Sequence, residues 1–297
     1  MTSYHDLIRP EVINSIKGME LISRVVVDNF FHGLNTSRRV GSGQEFSQYR
    51  SYEPGDDLRL LDWKMLARSS RYYIRQSEVD TNVTVKFVLD TTRSMEHLED
   101  GVSKGNLSKV IAASIGYLAH SQGDDISLFT IGEEKTILQP KMDKQHFNRF
   151  LYALTQVECK GKWPKTGNLE EFLHTRKSKE LIIFITDFYE HDDELLDFIT
   201  GQKTPRNELV VIQMAGEREL ELNYNRSVSL EDLETGELIR LNPDEIRKEH
   251  LKSIEQRHEK LRLTLIDNQV EYHLLKMNDK LEDSLSTFLK TRNRLMP

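Results

Sequence analysis

The residues best suited to chemistry follow directly after the apolar run NVTVKFVL. They are Asp90, Thr92 and Ser94, which place one carboxylate and two hydroxyls close together in the chain. Ligands of open α/β sheets bind outside the carboxyl ends of strands, so this point is the first candidate for a site. Hard oxygen donors of this kind suit Mg²⁺, with Mn²⁺ and Ca²⁺ as alternatives. The spacing therefore predicts a metal-ion site at Asp90.

A second carboxylate is expected at the same edge. Asp187 follows the apolar run LIIFIT, and it would point into the same crevice if the two strands were neighbours. Mg²⁺ is held by few carboxylates and keeps several waters, so coordination positions would stay open to an incoming partner. The alternative interpretation is that these side chains cap the helix that follows, without any metal.

The elements that must position these residues alternate between strands and helices. Buried strands are predicted at NVTVKFVLD, ISLFTI, ELIIFITD, NELVVIQM and VEYHLLK, and residues with helical spacing lie between most of them. This alternation predicts an α/β fold over 81–297, with a doubly wound, mostly parallel sheet. A β-hairpin insertion is expected at about 227–241, followed by an exposed helix from Asn242 to Asp267.

The first 80 residues differ from this core in composition. An amphipathic helix is predicted over about 10–32, and a module rich in glycine, arginine, acids and aromatics follows it. Arginine pairs readily with carboxylates, which favours a salt-bridged brace; a partner-docking surface is the alternative. Nucleic-acid binding is not expected, since the interspersed acids would oppose phosphates. The candidate residues are Glu45, Arg50, Tyr52, Asp56, Asp57, Arg59, Asp62, Trp63 and Arg68.

The same module carries a resemblance to a known family. The series GxGxEF, RxYxPGDDxRxxDW and AR is similar to the signature of the bacterial family called domain of unknown function 58. The later LEDLETGELIRL and the terminal FLKTR resemble the second half of that family. The resemblance implies a von Willebrand factor A-like domain, a MoxR-type AAA+ ATPase as partner, and a chaperone or assembly role toward a client protein.

The stretch from Asp90 to Ser94 also resembles the metal-ion-dependent adhesion site of von Willebrand factor A domains. There, Asp-x-Ser-x-Ser, a mid-chain threonine and a late aspartate surround the ion. The resemblance implies Asp90, Thr92, Ser94 and Asp187 as the metal-binding residues here. Aligned on the following leucine, the threonine position holds Gly167, and Thr166 would contribute only if the loop were shifted by one residue.

Composition and missing motifs narrow the function classes. The chain has 41 basic and 48 acidic residues, and its one cysteine, Cys159, has no internal partner for a disulfide. No apolar run approaches a membrane span and the N-terminus is polar, so a cytoplasmic protein is expected. A Walker A fingerprint is lacking, and Thr92 stands where a haloacid dehalogenase-type hydrolase needs a second acid, so an enzyme is not expected.

These observations predict a non-enzymatic adaptor, and the family resemblance implies that it acts with a MoxR-type ATPase. It would bind the carboxylate of a protein partner through an ion at Asp90, Thr92, Ser94 and Asp187. The alternative is a metal-independent scaffold that docks partners through the surface of residues 41–68. A metal-dependent hydrolase is a third hypothesis.

Overall fold

The structure is a computed structural model in which two compact units are distinguished. The core unit comprises residues 1–33 and 82–297, and the small unit comprises residues 34–81. The residues that the structure describes are 9–34, 49–52, 63–69, 71–75, 83–133, 135–141, 143, 145–163, 179–189, 193–222, 228–231, 238–241, 243–281 and 283–285.

Helices and strands alternate along most of the described chain. The helices are α1 (Pro10–Ile13), α2 (Ile16–Leu34), α3 (Trp63–Ser69), α4 (Lys104–Ser121), α5 (His146–Gln156), α6 (Glu194–Gly201), α7 (Glu217–Glu221) and α8 (Pro243–Asp267), and a 3-10 turn spans Arg93–Glu96. The strands are β1 (Tyr49–Ser51), β2 (Tyr73–Arg75), β3 (Thr84–Asp90), β4 (Leu98–Glu99), β5 (Val102–Ser103), β6 (Asp125–Ile131), β7 (Ile137–Leu138), β8 (Glu180–Thr186), β9 (Asn207–Ala215), β10 (Val228–Glu231), β11 (Leu238–Leu241) and β12 (Val270–Lys276).

The core unit is built on a six-stranded sheet in the order β12-β9-β8-β3-β6-β7. Neighbouring strands from β12 to β6 run parallel, and β7 pairs with β6 in the antiparallel direction. β3 is the first strand of this sheet along the chain and lies in its middle, and later strands are added on both sides of it. This order confirms the predicted doubly wound α/β fold. β8 lies directly beside β3, so the condition for bringing Asp187 to Asp90 is met.

The central strands are buried along their whole length, because helices cover the sheet. Every residue of β3 and β8 is buried, in keeping with their continuous apolar sequences. One ion pair lies within this apolar layer, where Lys86 Nζ of β3 is 2.8 Å from Glu180 Oε1 of β8.

The predicted helix over about 10–32 is present, with a break between α1 and α2. Ser15 Oγ accepts a hydrogen bond from Gly18 N at 3.0 Å and donates one to Val12 O at 3.1 Å. A side chain at Gly18 would clash with the carbonyl of Val12, since an added Cβ would lie 2.2 Å from that oxygen. The Ser15 hydroxyl thus bonds to both the end of α1 and the start of α2.

This helix belongs to the core unit, whereas the sequence groups it with the module before residue 80. The physical reason is its apolar face, since Met19, Ile22 and Val26 are fully buried. Arg24, on the same helix, lies over the ring of Tyr117 in α4, 6.0 Å from its centroid. The division therefore falls after α2 and again before β3, and the small unit is an insertion between them.

The two decorations expected on the core are also present. β10 and β11 pair in the antiparallel direction, with Val228 opposite Leu241, and residues 232–237 between them lie outside the described residues. The exposed helix expected from Asn242 begins one residue later, as α8. Within the part of the chain that the structure describes, no helix is long and apolar enough to cross a membrane.

Candidate metal centre

Asp90, Thr92 and Ser94 form a chain of hydrogen bonds at the carboxyl end of β3. Asp90 Oδ1 accepts from Thr92 N at 2.9 Å and from Thr92 Oγ1 at 2.7 Å. The hydroxyls of Thr92 and Ser94 are 3.0 Å apart, and all three residues are buried. The side chains of these three residues thus turn toward one another.

The helix-capping alternative does not account for the two hydroxyls. Thr92 precedes the 3-10 turn but makes no side-chain cap bond to it. The longer helix α4 is capped by Ser103, whose hydroxyl accepts from Asn106 N at 3.1 Å. The hydroxyls of Thr92 and Ser94 are instead part of the hydrogen-bonded network with Asp90.

Asp187 joins this network from the end of β8. Ser94 Oγ donates to Asp187 Oδ1 at 3.2 Å, and so does the backbone N–H of Tyr189. Thr186 Oγ1 donates to Asp90 Oδ2 at 2.7 Å, so the two carboxylates are also linked through the last residue of β8. Thr186 was not among the predicted residues, although its place beside Asp187 at the strand end was visible in the sequence.

The loop that carries Asp187 is held in an unusual conformation. Phe188 has φ of 53°, in the left-handed region that bulky side chains rarely enter. Its N–H donates to Thr186 Oγ1 at 3.1 Å, and its carbonyl accepts from the guanidinium of Arg257 in α8. Gln213 Nε2 donates to Asp187 O at 3.3 Å. These bonds from three elements hold the Asp187 carboxylate toward Ser94.

Burial controls the protonation of the first carboxylate. The pKa of Asp90 is raised to about 6, mainly by burial and further by the charge of Asp187, although hydrogen bonds from Thr186 and Thr92 lower it. Near neutral pH the two buried carboxylates therefore repel each other, and a cation between them would relieve that repulsion.

A lysine that sequence reasoning missed lies beside Asp187. Lys104, the first residue of α4, places its Nζ 2.9 Å from Asp187 Oδ2 and 2.8 Å from Glu219 Oε1. Burial by itself lowers the pKa of Lys104, but the charges of Asp187 and Glu219 outweigh it and raise the pKa above its ordinary value. A lysine at a helix start carries no signal of such pairing, because Glu219 lies far away in the sequence.

The short helix α7 presents Glu219 to this lysine. Glu99 of the hairpin β4–β5 is buried and accepts from the backbone N–H groups of Glu217 and Arg218, both at 2.8 Å. Gly216 N donates to Glu219 Oε2 at 2.8 Å. A side chain at Gly216 would collide with Glu99, since an added Cβ would be 2.4 Å from its Oε1. The hairpin and α7 are therefore locked together beside the site.

The donor set fits a hard divalent cation. Two carboxylates and the hydroxyls of Thr92 and Ser94 lie in one connected, buried network, and oxygen donors of this kind suit Mg²⁺. Over the described ranges there is no group of three or more His, Cys, Asp or Glu side chains that could hold a metal. An ion at this position would therefore depend on hydroxyls as well as on carboxylates.

Several predicted residues cannot be placed. Thr166 and Gly167 lie outside the described residues, and so do Glu45, Asp56, Asp57, Arg59 and Asp62. The predicted ion pairs of the signature therefore stay predictions.

The described part of the small unit shows the remaining signature residues. Arg50 lies in β1, which pairs with β2. The rings of Tyr52 and Tyr72 are 6.1 Å apart between centroids, and Tyr52 N donates to Tyr72 O at 3.0 Å. Trp63 and Arg68 of α3 are exposed, which suits a surface that contacts a partner.

Two of the similar proteins are described as uncharacterized. An uncharacterized protein of Mycobacterium tuberculosis is 24% identical over 240 residues, which is 78% of this chain and 74% of that protein. The uncharacterized protein YeaD of Bacillus subtilis is 27% identical over 185 residues, which is 61% of this chain and 42% of YeaD.

Similar solved structures include BatB from Bacteroides thetaiotaomicron and a von Willebrand factor type A structure from Catenulispora acidiphila. BatB has a TM-score of 0.45 at 12% identity and covers 71% of this chain and 98% of its own. The second has a TM-score of 0.38 at 11% identity and covers 70% of this chain and 42% of its own.

The family predicted from the signature is confirmed by a match of its model to residues 48–260, well over half of the chain. The match includes the whole RxYxPGDDxRxxDW series, residues 50–63, and the strand that ends in Asp90. The chain therefore belongs to the family described as "Protein of unknown function DUF58".

Proposed function

We propose that this protein is a non-catalytic adaptor that binds a protein partner through a divalent ion held by Asp90, Thr92, Ser94 and Asp187. The observation that carries the proposal is the connected, buried set of oxygen atoms at the carboxyl edge of the sheet, where α/β proteins bind ligands. Mg²⁺ is the ion that this donor set suits best, with Mn²⁺ and Ca²⁺ as alternatives.

The protein residues have separate tasks in this proposal. Asp90 and Asp187 supply the negative charge, and Thr92 and Ser94 supply neutral oxygens between them. Thr186 holds Asp90 in place through its hydroxyl. A bound ion would keep coordination positions open, and a carboxylate of the partner would fill one of them.

The partner in this proposal is a MoxR-type AAA+ ATPase, with a client protein as the final target. Support comes from the family resemblance, which implies such an ATPase and a chaperone or assembly role. The adaptor would act in the bacterial cytoplasm.

Substitution of Asp90 by alanine tests the proposal. We expect Mg²⁺ to raise the melting temperature of the wild-type chain, since a ligand that binds only the folded state stabilises it. The wild-type chain should retain a purified MoxR-type ATPase from the same genome in the presence of Mg²⁺ and lose it in EDTA. Both effects should disappear in Asp90→Ala.

The matched control is Asp193→Ala. Asp193 is an exposed carboxylate shortly after Asp187 in the chain, and its side chain makes no cap bond to α6. The control should keep both the Mg²⁺-dependent stabilisation and the retention of the ATPase. If Asp90→Ala behaves like this control, the proposed function is wrong.

A metal-independent scaffold is the second candidate, and the exposure of large aromatic side chains in the small unit favours it. Trp63 is 63% exposed and Tyr72 is 56% exposed, and such side chains are common at protein interfaces. Partner retention that persists in EDTA and weakens at least about tenfold in Trp63→Ala would support this function, since aromatic anchors dominate many interfaces.

A further inference from the structure

We propose that Lys104 is an internal cation of the candidate metal centre. Its ammonium lies beside Asp187 and offsets the negative charge that a divalent ion would otherwise offset. When an ion binds, the ammonium shifts toward Glu219. This inference rests on the proposed function, because it concerns how the same site takes up its ion.

The first argument is the geometry of the lysine. Its side chain is 2% exposed, as is that of Asp187, while that of Glu219 is 33% exposed. A buried ammonium is tolerated only when it is paired and hydrogen-bonded, and here both partners are carboxylates. Asp187 Oδ1 is taken by Ser94 and by the N–H of Tyr189, so the lysine holds the other oxygen, Oδ2.

The second argument is the balance of charge. Asp90 and Asp187 carry the negative charge that would attract an ion, and Lys104 already offsets part of it from a distance of 2.9 Å. A divalent ion between the two carboxylates would be repelled by the ammonium, and burial weakens the screening of that repulsion. Ion affinity is therefore lowered for as long as the ammonium stays on Asp187.

The third argument is that Glu219 offers the ammonium another partner. Glu219 Oε1 is 2.8 Å from Lys104 Nζ, and its Oε2 accepts from Gly216 N, which keeps the carboxylate in place. Lys104 can therefore leave Asp187 without becoming an unpaired buried charge, which would be strongly destabilising.

A consequence is that ion binding would reach elements beyond the site. The carbonyl of Glu219 is 2.8 Å from Nε2 of His250 in α8, and α7 is joined to Glu99 of the β4–β5 hairpin. His97 also faces this group, with Nδ1 3.6 Å from Glu219 Oε1 and Nε2 3.4 Å from Glu99 Oε1. A shift of the lysine would change the charge that these residues meet.

Calorimetric titration of the full chain with Mg²⁺ tests the inference. Lys104→Met should bind the ion at least about tenfold more tightly than the wild type, because it removes a like charge at short range. The matched control is Lys109→Met, since Lys109 is a buried lysine in the same helix that lies beside Cys159. The control should bind within about twofold of the wild type, because the charge that it removes is not paired with Asp187.

Glu219→Gln provides the second arm. In the wild-type background it should weaken ion binding about tenfold, because the ammonium loses its alternative partner. In the Lys104→Met background it should change binding by no more than about twofold, since only a screened, partly exposed charge is then removed. Equal weakening in both backgrounds would show a simple charge effect and overturn the role given to Glu219.

Thermal melting in EDTA supplies an independent readout. Lys104→Met should melt below the wild type, because Asp187 then lacks a cation, and Mg²⁺ should restore more of the loss in this variant than it adds to the wild type. Equal Mg²⁺-dependent shifts in the two proteins would contradict the inference. If Lys104→Met does not fold, Glu219→Gln alone decides, because unchanged or tighter ion binding by it would be contrary to the proposal.

The titrations separate this inference from the proposed function. Ion binding by Lys104→Met but not by the wild type would support an internal cation and contradict metal-dependent partner binding. Equal ion binding by both would overturn the internal cation and leave the proposed function standing. No ion binding by either protein would contradict both.

Discussion

Burial and hydrogen bonding shift the pKa of Asp90 in opposite directions. Burial and the charge of Asp187 raise the pKa to about 6, while the hydroxyls of Thr186 and Thr92 stabilise the ionised form. A group whose pKa is higher in the folded than in the unfolded state stabilises the fold below its unfolded pKa. This contribution is lost as the pH rises through the folded pKa. Without an ion, the ionised carboxylate is therefore a local source of instability.

The pH dependence of stability follows from this shift. In EDTA, the wild-type chain should lose about 3 kcal/mol of unfolding free energy relative to Asp90→Asn as the pH rises from about 4 to above 6. Urea denaturation of both proteins at a series of pH values measures the difference in unfolding free energy. The contributions of all groups that titrate in the same way in the two proteins cancel in this difference. Parallel pH profiles would show that Asp90 does not titrate in this range.

Four residues predicted to bind metal, Asp90, Thr92, Ser94 and Asp187, lie in one hydrogen-bonded network, although the ion itself stays a prediction. Their meeting could be predicted because each follows a strand that the apolar pattern makes visible. Lys104 and Glu219 could not be predicted, since nothing in their own neighbourhoods marks them as partners.

At the scale of elements, the contact between β3 and β8 decides the site. It brings the two strand ends together and also contains the buried pair of Lys86 and Glu180, at 2.8 Å. Both side chains are almost inaccessible to water, so removal of Lys86 leaves the Glu180 carboxylate buried without this cation.

This pair gives a prediction about the sheet. Lys86→Met should lower the free energy of unfolding by about 3–5 kcal/mol, because the Glu180 carboxylate stays buried without its cation. Urea denaturation measures the loss. The double variant Lys86→Met/Glu180→Met should recover most of it, and failure to recover would show that the packing of Lys86, rather than its charge, matters.

Some strands could be predicted from the sequence and others could not. β3, β6, β8 and β9 are almost continuously buried, and buried parallel strands appear as unbroken apolar runs. β4, β5 and β7 have two residues each, too few to show any periodicity. The five-residue helix α7, which presents Glu219, escaped prediction for the same reason.

At the scale of the whole molecule, the N-terminal helix α2 is part of the core unit rather than of the module that follows it. Ile22 is fully buried on its apolar face, whereas its neighbour Leu21 is 50% exposed. The chain therefore leaves the core unit after α2, forms the small unit and returns to the core unit at β3.

Substitutions at these neighbouring positions test that assignment. Ile22→Ala should lower the unfolding free energy of the core unit by about 2–4 kcal/mol, because it leaves a cavity in a packed interior. Leu21→Ala should change it by less than about 0.5 kcal/mol. Hydrogen exchange of the β3 and β6 amides reports on the core unit itself, and equal protection in both variants would place the helix outside it.

The α/β class, the family and the oxygen-rich residues at the ends of β3 and β8 could be predicted from the sequence alone. These depend on local patterns, since apolar runs, strand endings and the RxYxPGDDxRxxDW series are visible in the chain without knowledge of contacts. The position of Lys104 between Asp187 and Glu219 and the packing of α2 with the core unit could be seen only in the folded structure. The physical reason is that such pairings join residues distant in the chain, and burial and charge balance at a site arise only when those residues meet.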